Sequence, residues 1–158
     1  MRPRYAGIGS RKAPYDVWIQ CTTIASRLET IGFVLRSGGA SGPDQAFEDG
    51  VLDPERKEIL RPEHATEAAM AMAAKIHPAW GQLGLYVRQL HARNVQIVLG
   101  EDLKTPVKFV VCWTPDAKPV GGTRTGIVLA ESLKIPVYNL ADPVQNRFLM
   151  ERLERVSK

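Results

Sequence analysis

The residues best suited to chemistry in this sequence lie in three glycine-rich turns. Two turns directly follow short apolar runs, and the third comes after a loop that follows another such run. All three carry hydroxyl or basic side chains beside their glycines: Gly7-Ile8-Gly9-Ser10-Arg11, Ser37-Gly38-Gly39-Ala40-Ser41-Gly42 and Gly121-Gly122-Thr123-Arg124-Thr125-Gly126. Glycine permits positive φ and lets a ligand approach the backbone closely. Turns that enter helices expose unpaired N–H groups at the positive end of the helix dipole, which favours phosphate. The turns therefore predict binding of a phosphorylated ligand, with Arg11 and Arg124 compensating its charge.

The turns differ in how strongly they indicate a ligand. Gly7 and Gly9 lack the third glycine of the dinucleotide-binding fingerprint, so this pair fits a plain turn as well as a ligand turn. The turns that begin at Ser37 and Gly121 favour a ligand. The sequence has no Walker lysine pattern, which disfavours a P-loop nucleoside triphosphatase.

Single residues near the turns each allow more than one role. Asp44 suits either N-terminal capping of a helix or hydrogen bonds from a ribose or base. Trp113 suits either base stacking or core packing. Asn94, on an otherwise apolar helical stripe, is expected to tie a loop in preference to contacting a ligand, with His91 and Arg93 exposed beside it. The predicted ligand-binding residues are Gly7, Gly9, Ser10, Arg11, Ser37, Gly38, Gly39, Ala40, Gly42, Asp44, Trp113, Thr114, Gly121, Gly122, Thr123, Arg124, Thr125 and Gly126.

The elements that position these turns follow from the alternation along the chain. Short apolar runs alternate with longer helical patterns, which predicts an α/β fold with an open, mostly parallel sheet of about five strands and helices on both faces. Such sheets bind ligands beyond the carboxyl ends of their strands, so the three turns meet if their strands are neighbours. We expect residues 1–142 to form this domain. Residues 143–158 are expected to form an amphipathic helix, docked on the domain or at a subunit interface.

Composition places further bounds on function. The chain has 158 residues, of which 44% are apolar and 24% charged, as in one ordinary globular domain. The net charge of +4 is dispersed, which permits a polyanionic partner without requiring one. Cys21 and Cys112 have no metal or redox spacing and are expected to be reduced packing residues, which fits the cytoplasm. We predict no metal site, no cofactor and no membrane span.

Three stretches, YAGIGSR, SGGASGPDQAF and CWTPDAKPVGGTRTG, resemble the SLOG superfamily. That superfamily joins the DNA-processing protein A (DprA, or Smf) domain with the LONELY GUY enzymes. The likeness covers roughly Arg4 to Leu140 and is greatest to small single-domain DprA-like proteins of phage type. It implies a Rossmann-like domain that binds a nucleotide or nucleic acid at the glycine turns, in a protein we expect to be a homo-oligomer.

The resemblance leaves three functions open. LONELY GUY enzymes hydrolyse nucleoside monophosphates with an acid after their glycine motif, but that position here is Val128 or Ile127. Only Asp44 and Glu131 are candidates for a catalytic acid. We therefore predict binding of a nucleotide or nucleotide-derived signal ahead of N-glycosidic hydrolysis. DprA-like binding of single-stranded DNA is the third possibility.

Overall fold

The structure, a computed structural model, describes residues 1–156 of the chain. Within these residues, one sheet of five parallel strands forms the centre of the molecule, in the order β3-β2-β1-β4-β5. The strands are β1 (Arg4–Gly9), β2 (Val34–Ser37), β3 (Lys57–Ile59), β4 (Val110–Trp113) and β5 (Val137–Asn139). The predicted open α/β sheet is confirmed.

Helices cover both faces of the sheet. They are α1 (Tyr15–Thr30), α2 (Pro43–Asp49), α3 (Glu67–Ile76), α4 (Leu85–Leu99), α5 (Arg124–Ser132) and α6 (Pro143–Val156). Alternate residues of β1 face opposite sides, so Tyr5 packs with α1, α2 and α6 whereas Ala6 and Ile8 pack with α3, α4 and α5. Burial on both faces explains the nearly continuous apolar runs of the central strands.

Close packing of α2 on the sheet explains one of the glycines. A Cβ atom on Gly7 would lie 2.7 Å from Cγ of Phe47, which is fully buried in α2. Gly7 therefore brings α2 against β1 and has its main role in packing.

The sequence pattern predicts helices over Glu63 to Ile76 and over Gln82 to Leu99, and both helices begin later in the structure. The helix predicted from Glu63 starts at Glu67, because Thr66 caps it by accepting a hydrogen bond from the N–H of Ala69 at 3.2 Å. The helix predicted from Gln82 starts at Leu85, after a short 3₁₀ turn.

The C-terminal helix α6 lies against β5 and α1. Leu149 and Leu153 are buried there, whereas Phe148 and Val156 are exposed. The last two residues of the predicted segment 143–158 lie outside the described residues. None of the helices within residues 1–156 combines the length and apolar character needed to span a bilayer.

Candidate functional site

A cavity of about 580 Å³ opens at the carboxyl edge of the sheet. The strand order places β2, β1 and β4 side by side, so the turns that follow them meet at this edge. The chain runs outward through β2 and β3 and then returns to β4, which makes the boundary between β1 and β4 the topological switch point, the usual place for a ligand in such sheets. The cavity lies at that boundary, with Gly9 and Ser10 on one side and Gly121 and Gly122 on the other.

The first two turns are fastened directly to each other. The hydroxyl of Ser37 donates to the carbonyl of Gly7 at 2.6 Å. Gly42 adopts a φ of +95°, and a Cβ atom there would lie 3.2 Å from Cα of Arg11. A side chain on Gly42 would be strained and would separate the turns, so this glycine is needed for their close approach.

Asp44 links the same two turns through its carboxylate. It lines the cavity but is only 4% exposed, and its Oδ1 accepts a hydrogen bond from the N–H of Gly9 at 3.2 Å. Burial raises the pKa of Asp44 to about 6, although the guanidinium of Arg93 and the N–H groups of Ala40, Gly9 and Gly38 act in the opposite direction. N–H groups that the sequence led us to expect free for a ligand therefore face an internal carboxylate.

Arg93 joins the second turn to α4. The expectation that it is exposed is wrong, since Arg93 is only 5% exposed and lines the cavity. Its Nη1 donates to the carbonyl of Gly38 at 2.7 Å and to that of Leu60 at 3.3 Å, and its Nε donates to Oδ1 of Asn94 at 3.0 Å. These carbonyl and amide acceptors compensate for burial of the guanidinium.

Asn94 ties the third turn to the same helix. Its Nδ2 donates to the carbonyl of Gly122, so the loop-anchoring role that the sequence favoured is the one observed. Asn94 also lines the cavity. Consecutive residues of α4 thus hold the second and third turns in place.

His91 is a further correction, because it too was expected to be exposed and is buried. Its Nδ1 lies 2.7 Å from Oγ1 of Thr125, and its ring packs edge-on against that of His77 at 4.6 Å. Burial lowers the pKa of His91 to about 4, and electrostatic interactions with His77 and Arg124 act in the same direction. His91 is therefore a neutral hydrogen-bonding group at pH 7 that anchors the start of α5.

Several predicted site residues do not line the cavity. Trp113 packs in the core with α1, α2 and α6, on the far side of the sheet from α4. Arg124 is directed away from the cavity, because its Nη1 donates to the carbonyl of Ile76 at 3.3 Å. Glu131 is exposed on α5 and does not line the cavity. The other predicted residues that do not line it are Gly7, Ser37, Gly38, Gly39, Gly42, Thr114, Thr123, Thr125 and Gly126.

The predicted residues that do line the cavity are Gly9, Ser10, Arg11, Ala40, Asp44, Gly121 and Gly122. Ser41, a hydroxyl donor of the predicted second turn, lines it as well. Sequence reasoning did not single out six further lining residues as ligand-binding: Lys12, Tyr86, Leu90, Arg93, Pro115 and Val120. For Arg93 a signal existed, because a basic residue stood beside Asn94 at the start of a long apolar stretch.

Fold and site together define a Rossmann-like α/β protein with a composite pocket at its topological switch point. Among solved structures, the chain is similar to DNA processing protein A from Helicobacter pylori, whose structure was described for its single-stranded DNA binding mode. The TM-score is 0.60 at 18% identity, covering 98% of this chain and 81% of that one. The fold is therefore DprA-like. No protein-family model and no curated protein matches the chain.

Proposed function

We propose that this protein binds a nucleotide or a nucleotide-derived small molecule in the cavity at the carboxyl edge of the sheet. The observation that carries the proposal is the cavity of about 580 Å³ enclosed by three turns at the switch point. Its volume falls in the range of about 300–1,000 Å³ that small-molecule sites occupy. Its polar groups converge from separate turns, as they do in such sites.

The charges around the cavity support an anionic ligand. Arg11 and Lys12 are exposed and line one side, next to the hydroxyl-bearing residues Ser10 and Ser41. Both cations are open to a phosphate, and the guanidinium offers forked donors for it. Asp44 repels a phosphate placed directly against it, so the carboxyl suits the ribose or base of the ligand.

Thermal shift and calorimetry against nucleoside monophosphates, cyclic nucleotides and NAD derivatives test the proposal. A ligand at one hundred times its Kd stabilises the folded state by about 2.7 kcal/mol. For a chain of this size that corresponds to a rise in Tm of about 5–10 °C. No stabilisation by any phosphorylated compound at millimolar concentration would refute the proposal.

A matched pair of lysine variants tests the site itself. Lys12→Gln removes a cation from the cavity, whereas Lys108→Gln removes an exposed cation just before β4, at the opposite edge of the sheet. We expect weaker binding, and a weaker dependence of binding on salt, for Lys12→Gln alone. Equal effects of the two variants would show that net charge matters and the cavity does not.

Single-stranded DNA is a second candidate ligand, favoured by the likeness to a protein described by its single-stranded DNA binding mode. Here too Arg11 and Lys12 are the cations available at the cavity. Neutralisation of phosphates predicts that the logarithm of the affinity falls linearly with the logarithm of the salt concentration. A gel shift with oligothymidylate at low and moderate salt tests this, and no shift at low salt excludes it.

Hydrolysis of an N-glycosidic bond is a third candidate, and one observation favours it. Asp44 is a buried carboxyl within the cavity whose pKa lies near 6, the range in which a carboxyl serves as a general acid or base. Glu131 is not available for this role, because it lies outside the cavity. Incubation with nucleoside monophosphates and chromatography for free base tests this activity, and Asp44→Asn must abolish any release.

A further inference from the structure

The two sides of the cavity differ in chemical character. The side formed by the first two turns carries Arg11, Lys12 and Ser41. The side formed by α4 and the third turn carries Tyr86, Leu90 and Val120, together with Arg93 and Asn94, whose polar groups are already bonded to backbone carbonyls. A bound nucleotide has the same division, since its phosphate is charged and its base is a flat, largely apolar ring.

The orientation of α4 directs its Tyr86 face at the cavity. Tyr86, Leu90 and Arg93 are spaced four and three residues apart, which places them on one side of a helix. Arg93 is bound to the carbonyl of Gly38 and Asn94 to that of Gly122. These bonds hold that face toward the glycine turns, with Arg93 buried and Tyr86 exposed in the first turn of the helix.

Most of the Tyr86 side chain is open to solvent. Tyr86 is 63% exposed, and within residues 1–156 its ring packs against no other aromatic ring and its hydroxyl forms no hydrogen bond. Most other large aromatic side chains of the protein are engaged in ring pairs or in the core, and Trp113, which the sequence offered for stacking, is among the latter. Leaving a tyrosine ring exposed beside a cavity brings no folding benefit that the structure shows.

We propose that Tyr86 stacks on the base of the ligand, with Leu90 and Val120 completing the apolar side, so that the site selects base-bearing nucleotides over sugar phosphates. This inference rests on the proposed function and specifies its substrate class. The phosphate lies toward Arg11 and Lys12. Aromatic side chains suit this role because every base offers a π-face.

Calorimetry with nucleoside monophosphates and with ribose 5-phosphate distinguishes the contribution of the base to binding from that of the sugar phosphate. Tyr86→Ala should weaken nucleotide binding by about ten-fold, a typical loss when a stacking aromatic is removed. It should leave ribose 5-phosphate binding unchanged. Tyr86→Phe keeps the ring and should bind nucleotides as the wild type does.

Leu85→Ala is the matched control. Leu85 is 67% exposed in the same turn of α4 and does not line the cavity, so its removal should change neither affinity. Unchanged nucleotide binding by Tyr86→Ala, or an equal loss for Tyr86→Ala and Leu85→Ala, would overturn the inference while the proposed function stands. A wild-type protein that binds none of these compounds would overturn the proposed function and the inference with it.

Discussion

Replacing Asp44 by Asn should stabilise the folded protein at neutral pH, although Asp44 lies at the centre of the site. Burial raises the pKa of this carboxyl from 3.8 to about 6, so the ionised form is less favourable in the folded chain than in the unfolded chain. At 1.36 kcal/mol for each pKa unit, the difference amounts to about 3 kcal/mol. The side chain is only 4% exposed, so solvent does not screen this cost appreciably.

Because the pKa of Asp44 is raised on folding, the pH range in which this carboxyl affects stability can be stated. Below the unfolded-state pKa of 3.8, Asp44 is protonated in both the folded and the unfolded chain, so ionisation of this carboxyl costs the folded state nothing. As pH rises from 3.8 toward 6 the unfolded chain ionises first, so stability is lost progressively, and the loss is complete above about pH 6. Asparagine does not ionise, and its Oδ1 can still accept the N–H of Gly9.

Urea denaturation of the wild type and of Asp44→Asn at pH 4.0 and pH 7.5 measures the effect. The variant should gain about 3 kcal/mol at pH 7.5 and well under 1 kcal/mol at pH 4.0. The gain corresponds to a rise in Tm of about 6–12 °C at the higher pH. Taking the difference between the two pH values cancels any effect of the amide itself.

Asp49→Asn serves as the control, because Asp49 is exposed on the same helix. Its stability should change by no more than about 0.5 kcal/mol at either pH. The reasoning is refuted if the stability of Asp44→Asn relative to the wild type is the same at pH 7.5 as at pH 4.0, because ionisation of Asp44 would then not be the cause of any difference.

Three further predictions concern residues that hold the turns around the cavity in place. Gly38→Ala should destabilise the fold and reduce ligand binding, since its Cβ would collide with the guanidinium of Arg93; urea denaturation and calorimetry check this. Asn94→Ala leaves the carbonyl of Gly122 without its donor and should cost about 1–3 kcal/mol, with faster limited proteolysis at the third turn. The pKa of His91 is lowered to about 4, so its contribution to stability is present above pH 6.5 and is lost as pH falls toward 4; His91→Gln should flatten that part of the stability–pH curve.

The sheet and the meeting of the turns could be predicted because both follow from local patterns. Apolar runs such as Phe109 to Trp113 identify central parallel strands, and parallel strands all end at one edge of the sheet. The helix starts were predicted less accurately. The residues just before an N-cap such as Thr66 also fit a helical pattern, so the pattern alone does not show where the helix begins. The position of a strand within the sheet depends on crossovers that no local pattern encodes.

The burial of the polar residues of α4 could not be predicted from local sequence patterns. Arg93 and His91 are residue types that usually lie at the surface, so the general rule predicted exposure. Their burial depends on hydrogen-bonding partners from distant segments, the carbonyl of Gly38 for Arg93 and the hydroxyl of Thr125 for His91. Such partners become visible only when the turns are assembled against the helix.

The position of Asp44 also bears on where a ligand's charge can lie. Its carboxylate already accepts the N–H of Gly9 and faces those of Gly38 and Ala40, so a phosphate placed at these amides would meet a negative charge near neutral pH. The exposed cations that line the cavity are those of Arg11 and Lys12 in the first turn, whereas Tyr86 lies on α4. An anionic ligand is therefore most favourable with its charge beside these cations and its neutral portion along α4, which is the arrangement that base stacking on Tyr86 requires.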